Sequence, residues 1–226
     1  MSSRMSSKNG STPGIKKALV TLAVIACFWW AFGAASANAD SMLVLMGNVS
    51  SNPTDNGYYV GAYPISVDGT PTRLVCDDAT KDIGGGATWN AQVNTFATLS
   101  QTKFFSGPFG DGIIDPATAY KEVFWLTSQM QSNSSEVGPI HFAIWSIMDP
   151  DVNVNSYADA AAINRWLSLA GDMGPSVNTS SYLIYTPDPA CSSQEFIGSV
   201  PVPPSILLFA PGLLGIVGLR RRAAKK

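Results

Sequence analysis

Histidine, cysteine and positive charge are scarce in this sequence, and each scarcity closes off a class of chemistry. One histidine and three cysteines occur in 226 residues. There is no CxxC pair and no HExxH run, which removes the common zinc and dithiol arrangements. Gly84-Gly85-Gly86 lacks the Gly-Lys-Ser/Thr that completes a phosphate-cradling loop. Between residues 40 and 200 only Arg73, Lys81, Lys103, Lys121 and Arg165 are basic, against all sixteen acidic residues, a net charge of −11. A body this acidic repels phosphate backbones and anionic lipid, so nucleic acid is excluded as a partner. No internal repeat and no long low-complexity linker is present. What remains is rich in Gly, Ser, Thr, Asn and aromatics, the composition of a turn-rich, β-containing extracellular domain. Its roughly 160 residues suffice to bury a core.

The missing positive charge is at the two ends. Lys16-Lys17 precede an apolar run from Ala18 to Ala35, followed by Ala37-Asn38-Ala39, a small-x-small cleavage pattern that makes Asp40 the first mature residue. Residues 1–39 therefore read as a secretory signal peptide, taken by the Sec translocon and cut by signal peptidase. An uncleaved anchor and a lipoprotein signal at Val24-Ile25-Ala26-Cys27 are the alternatives. At the other end, Val200-Pro201-Val202-Pro203-Pro204 leads into an apolar stretch, 205–219, and then Arg220-Arg221-Arg222. As a helix the stretch would reach about 22 Å, short of a ~30 Å hydrocarbon core. The arginines would hold its end on the cytoplasmic side of the inner membrane, and Gly212, Gly215 and Gly218 lay a small-residue stripe along it. The prolines hold the preceding segment extended, as a protease requires of its substrate.

That order of proline motif, short Leu/Gly-rich helix and terminal arginine cluster resembles the PEP-CTERM family of sorting signals. The resemblance implies recognition of residues 201–226 by an exosortase, a membrane transpeptidase-like cysteine protease. It further implies delivery to the cell surface or extracellular matrix, alongside exopolysaccharide. Val202 stands where most members of the family carry Glu, which points to a subtype of processing enzyme.

In the body, Tyr58 to Val67 alternates apolar and polar residues and ends at Asp68-Gly69, a hairpin signal, with Thr72–Cys76 as the returning strand. Asp115-Pro116 marks a helix start ahead of Ala119, Val123, Phe124, Leu126 and Met130. Pro139 opens a second helix with Ile140, Ala143, Ile144 and Ile147 on one face. Ser156 and Asp159 form a capping-box-like pair for a third, carrying Ile163, Trp166, Leu167 and Ala170 and stopped by Gly171. Tyr182–Tyr185 reads as a late strand halted at Pro187. These segments predict an α+β domain over 40–190, with an antiparallel, sandwich-like sheet and three helices, and a linker over 191–200. The body also resembles the thioester domains of bacterial surface adhesins, through Leu74-Val75-Cys76-Asp77-Asp78, Phe124-Trp125-Leu126 and Ile140-His141-Phe142-Ala143-Ile144-Trp145. In that family the cysteine is acylated by a glutamine of a Gln-x-Ala-Ile-Trp motif, giving a bond that captures amines. Here His141 holds the glutamine's place, and an imidazole has no carboxamide to acylate a thiol.

The candidate sites are therefore few. Cys76 and Cys191, the cysteines left after signal removal, are a candidate disulfide, the alternative being two buried thiols. Cys76 with His141 has the two groups of a cysteine hydrolase, set against the reading of His141 as a packing residue. Asp149, Asp151 and Asn153 place oxygens at alternate positions, as at the start of a calcium loop, but lack its central Gly and closing Glu; turn formation is the competing reading. The sequence implies no cofactor and no catalysis. It describes an exported surface or matrix protein of structural or adhesive role, with a covalent adhesin using some other glutamine, and a cysteine hydrolase, as the alternatives.

Overall fold

A computed structural model describes residues 40–45, 49–105 and 115–200. The expected signal peptide, with Ala37 and Ala39, lies outside the described residues, as does everything from Pro201 on, including Val202, Pro203, Pro204, the apolar stretch and Arg220, Arg221 and Arg222. Among the described residues no helix is long and apolar enough to cross a membrane.

The chain forms an α+β domain, but its sheet is a closed barrel rather than a sandwich. Six strands, β1 (Asp40–Leu45), β4 (Ala62–Val67), β5 (Thr70–Cys76), β6 (Thr88–Asn94), β7 (Tyr182–Pro187) and β8 (Phe196–Ser199), run in the order β1-β4-β5-β8-β7-β6, with β6 returning to β1. Every pairing is antiparallel. Two short strands, β2 (Thr54–Asp55) and β3 (Tyr58–Tyr59), make a separate hairpin.

The strongest local signal is the β4–β5 hairpin. Val67 pairs with Thr70 across Asp68 and Gly69, both at positive φ (49° and 80°), the conformation whose twist matches the flanking strands. The strand expected to run unbroken from Tyr58 divides at Gly61 (φ 87°), where β3 hands over to β4.

The stretch expected as a linker, 191–200, is instead part of the barrel. β8 pairs with β5 on one side and β7 on the other, so the domain extends through Ser199. Four residues are too short to show an alternating pattern, and this strand exists because two neighbours present unpaired edges. Gly198 is required there. A Cβ would come within 2.5 Å of Leu74 Cδ2 and 3.3 Å of Tyr185.

Alternate residues of the six strands fill the barrel. Leu43, Leu45, Tyr63, Ile65, Leu74, Cys76, Trp89, Ala91, Tyr185 and Phe196 form this core, with Trp89 stacked on Phe196 at 5.8 Å and Tyr63 edge-on to it at 5.9 Å. Each large side chain buried here contributes about 2 kcal/mol. The opposite faces of β5, β7 and β8 present Val75, Ile184 and Ile197 to a second core shared with three helices.

These helices are α1 (Pro116–Gln129), α2 (Val137–Met148) and α3 (Ala160–Met173). Asp115 caps α1 as expected, accepting from the N–H groups of Ala117 and Thr118 at 2.9 and 3.1 Å. α2 starts at Val137, ahead of Pro139, and buries residues around most of its circumference, which makes it the central helix of the layer. α3 runs through Gly171 to Met173, and its expected capping box is absent. Ser156 Oγ donates to the Asn153 carbonyl instead, in a turn before the helix.

Candidate functional site

The chain's sole histidine ties the helical layer to the barrel. His141 projects from α2 and is completely buried. Its Nδ1 accepts the N–H of Gly61 at 2.8 Å, so Nδ1 is unprotonated. Nε2 therefore carries the proton and donates to the Cys76 carbonyl at 2.7 Å. Trp145, one turn along α2, tilts against the ring at 4.2 Å. Burial pulls the imidazole pKa down to about 4, opposed by the bond to the Cys76 carbonyl. At neutral pH the ring is an uncharged two-ended strut.

This geometry does not join Cys76 and His141 as a thiol–imidazole pair. The imidazole addresses the cysteine's carbonyl, not its sulfur. The thiol donates to the Asp78 carbonyl at 3.2 Å and accepts the Asp78 N–H at 3.4 Å. Burial, then Asp78 and Asp77, push the thiol well above its ordinary pKa. The Trp145 indole N–H acts in the opposite sense, though it meets no acceptor at hydrogen-bond geometry. A buried thiol held protonated is a weaker nucleophile than a thiolate.

The expected disulfide is also absent: both cysteines are free, Cys76 in the barrel interior and Cys191 exposed. The physical reason is placement. Cys76 ends β5 facing inward, whereas Cys191 sits in the turn between β7 and β8, outside the barrel wall. Asp149 and Asn153 serve local turns, Asp149 accepting from the Asp151 N–H at 3.0 Å and Asn153 from the Asn155 N–H at 3.1 Å. Among the described residues no group of three or more His, Cys, Asp or Glu side chains could hold a metal ion. Val200, the first residue of the sorting motif, lies just after β8, its N–H bonded to the Ser181 carbonyl at 2.9 Å.

Just past Cys76 lies a buried acidic knot: the acidic group of Asp77, Asp78 and Asp82 is visible in the sequence, but the inclusion of Glu195 is announced by no local pattern. Asp77, Asp78 and Glu195 are all fully buried. Asp78 pairs with Lys103 and accepts from the Thr80 hydroxyl at 2.6 Å and from the Glu195 N–H at 3.2 Å. Glu195 accepts from Tyr120 and Thr186 hydroxyls, each at 2.5 Å, and from the Lys103 N–H at 3.0 Å. Burial raises the Glu195 pKa against those donors. Among the described residues Asp77 has no partner on either oxygen, and burial, then Glu195 and Asp78, raise its pKa far above the usual carboxylate range. A buried carboxyl so placed is neutral. Gln194 joins the same region, its amide donating to the carbonyls of Asp78, at 3.1 Å, and Lys81. A further cue in the sequence was Lys103, a rare cation set directly before Phe104-Phe105.

Next to the strut an open cleft of about 520 Å³ is walled by Tyr58, Phe142 and Trp145 and edged by Asp82, Asp149 and Asp151. No family model, curated protein or solved structure matches the chain.

Proposed function

We propose that this chain is an exported envelope protein carrying a non-catalytic, structural or adhesive body between two address signals. It passes the Sec translocon, is cut by signal peptidase after Ala39, and is held at the inner membrane by residues 205–219. An exosortase-type protease then recognises Val200–Pro204 and delivers it to the cell surface or extracellular matrix, alongside exopolysaccharide. The three-part order of the tail supports the address, and the acidic body, net −11, suits a partner other than nucleic acid.

The observation that carries the body's half of the reading is His141. Both ring nitrogens are committed, at 2.8 and 2.7 Å, at the position where the resembling adhesins carry their acylating glutamine. A strut of this kind holds the fold of a thioester-type domain without its bond. Fractionating cells with and without the sorting protease, while following the mass of the C-terminus, tests the address. Loss of the tail and surface release only when the protease is present is the expected result; identical mass and location in both strains would overturn it.

One observation favours the covalent alternative. The Gln194 amide and the Cys76 thiol both donate to the Asp78 carbonyl, which brings this glutamine close to the sulfur. Attack of the thiol on the Gln194 carboxamide, with loss of ammonia, would form a thioester there. Intact mass before and after methylamine decides between the two readings. An unchanged mass is expected, and a methylamine adduct on Gln194 would replace the non-covalent reading.

A further inference from the structure

The cleft beside His141 has a neighbour. A second depression, of about 450 Å³, shares Asp82 and Ile83 with the first and is bordered by Trp89 and Asp188. The first combines the exposed Tyr58 ring with carboxylates, while the second adds Asp188 and the edge of the largely buried Trp89.

In the first, three rings stand nearly at right angles: Tyr58 to Phe142 at 86°, Tyr58 to Trp145 at 70°, and Phe142 to Trp145 at 89°, with centroids 5.2–6.0 Å apart. Tyr58 is 51% exposed, yet its edge contacts with the other two rings hold it in place. It is thus a preorganised surface, which reduces the entropy lost on binding. The charged lining is one-sided, with Asp82, Asp149 and Asp151 against Lys81. The turn bond from the Asp151 N–H fixes Asp149 in orientation.

Of the three rings only Tyr58 is exposed, with Phe142 and Trp145 buried behind it as its support. A fixed aromatic face of this kind stacks on the C–H face of a pyranose ring, and carboxylates accept from hydroxyl and ammonium groups. An ammonium also gains from the exposed face of Tyr58. Neutral sugars would use only part of this chemistry, and anionic sugars would meet a body of net charge −11. Two depressions sharing a wall suit consecutive units of a polymer. We propose that the joined clefts bind a glycan bearing free amino sugars. The inference deepens the adhesive role proposed above and rests on that reading for the choice of a polymer.

Calorimetric titration of the full chain in detergent tests it, using short glucosamine oligomers, their N-acetylated forms, galacturonate oligomers and oligolysine as probes. Glucosamine oligomers are expected to bind, with the N-acetylated forms roughly tenfold weaker and galacturonate not bound. Tyr58→Ala and Asp149→Asn should each weaken binding roughly tenfold. Asparagine retains the acceptor oxygen of the turn, so that variant keeps its fold. A salt titration of the unaltered chain, which should weaken binding steadily, needs no variant. No binding of glucosamine oligomers, equal binding of the N-acetylated forms, or tighter binding of oligolysine would overturn the proposal. Binding is measured on purified protein, so its failure leaves the sorting reading intact, and a failed fractionation leaves the binding result intact.

Discussion

Two buried polar arrangements meet at the end of β5, and they are resolved in opposite ways. The Cys76 carbonyl receives a proton from His141, whose other nitrogen is satisfied by Gly61; every polar atom of the imidazole has a partner. One residue on, Asp77 has none for either oxygen among the described residues, and it sits among two further carboxyl groups with Lys103 as the cation at hand. The comparison teaches that a neutral, fully bonded group can join two layers cheaply, whereas surplus acid in a core must be kept protonated.

Removing Lys103 attacks the knot at that cation. Lys103→Met leaves Asp78 buried and unpaired, and chemical denaturation should register a loss of about 3–5 kcal/mol. A loss under 1 kcal/mol would mean that solvent reaches Asp78. His141→Leu attacks the strut. It orphans the Gly61 N–H and the Cys76 carbonyl, for an expected loss of about 2–4 kcal/mol at pH 7.

Acidity separates the two arrangements more sharply, because their signs are opposite. The folded pKa of His141, about 4, lies below its unfolded value of 6.5. The unfolded chain thus binds the extra proton between these values, and stability falls as pH drops from 6.5 towards 4, by about 3 kcal/mol in all. In His141→Leu that part of the decline should vanish. Asp77 and Glu195 are raised above their unfolded values, so the folded chain retains their protons. Their contribution is complete below about pH 4 and is lost as pH rises. Comparing denaturation midpoints of the unaltered chain and Asp77→Asn from pH 4 to 8 checks this. The variant should equal the unaltered chain within about 1 kcal/mol in acid and overtake it at neutral pH. A variant less stable at every pH would show that the Asp77 carboxyl has a partner after all.

The elements that were legible in the sequence carry their instructions locally. Asp68-Gly69 specifies the β4–β5 turn because both positions need positive φ, and Asp115-Pro116 specifies the start of α1 because an aspartate accepts the first free N–H groups. Tyr182–Tyr185, halted at Pro187, was legible as β7, and the other strands were less visible. In β6, Trp89, Ala91 and Val93 alternate with polar residues and offered a usable period-two signal. β1 opens at Asp40, in a stretch that reads first as the flank of a cleavage site. β8 has four residues and no pattern of its own. The same holds for the candidate site. His141 and Cys76 were conspicuous through rarity and resemblance, but which atom of Cys76 the imidazole meets depends on how α2 lies against the barrel.

By itself, then, the sequence determined the acidic charge of the body, the main hairpin and the capped first helix, the last two because they depend on residues adjacent in the chain. Tertiary structure alone decided the closure of the barrel, the separation of Cys76 from Cys191, the choice of carbonyl over sulfur by His141, and the convergence of residues 77, 78, 103 and 195 into one knot. The physical reason is common to all four. Each depends on how segments distant in sequence are placed when strand edges pair and apolar faces are buried together, and no local pattern records which distant residues will or will not meet.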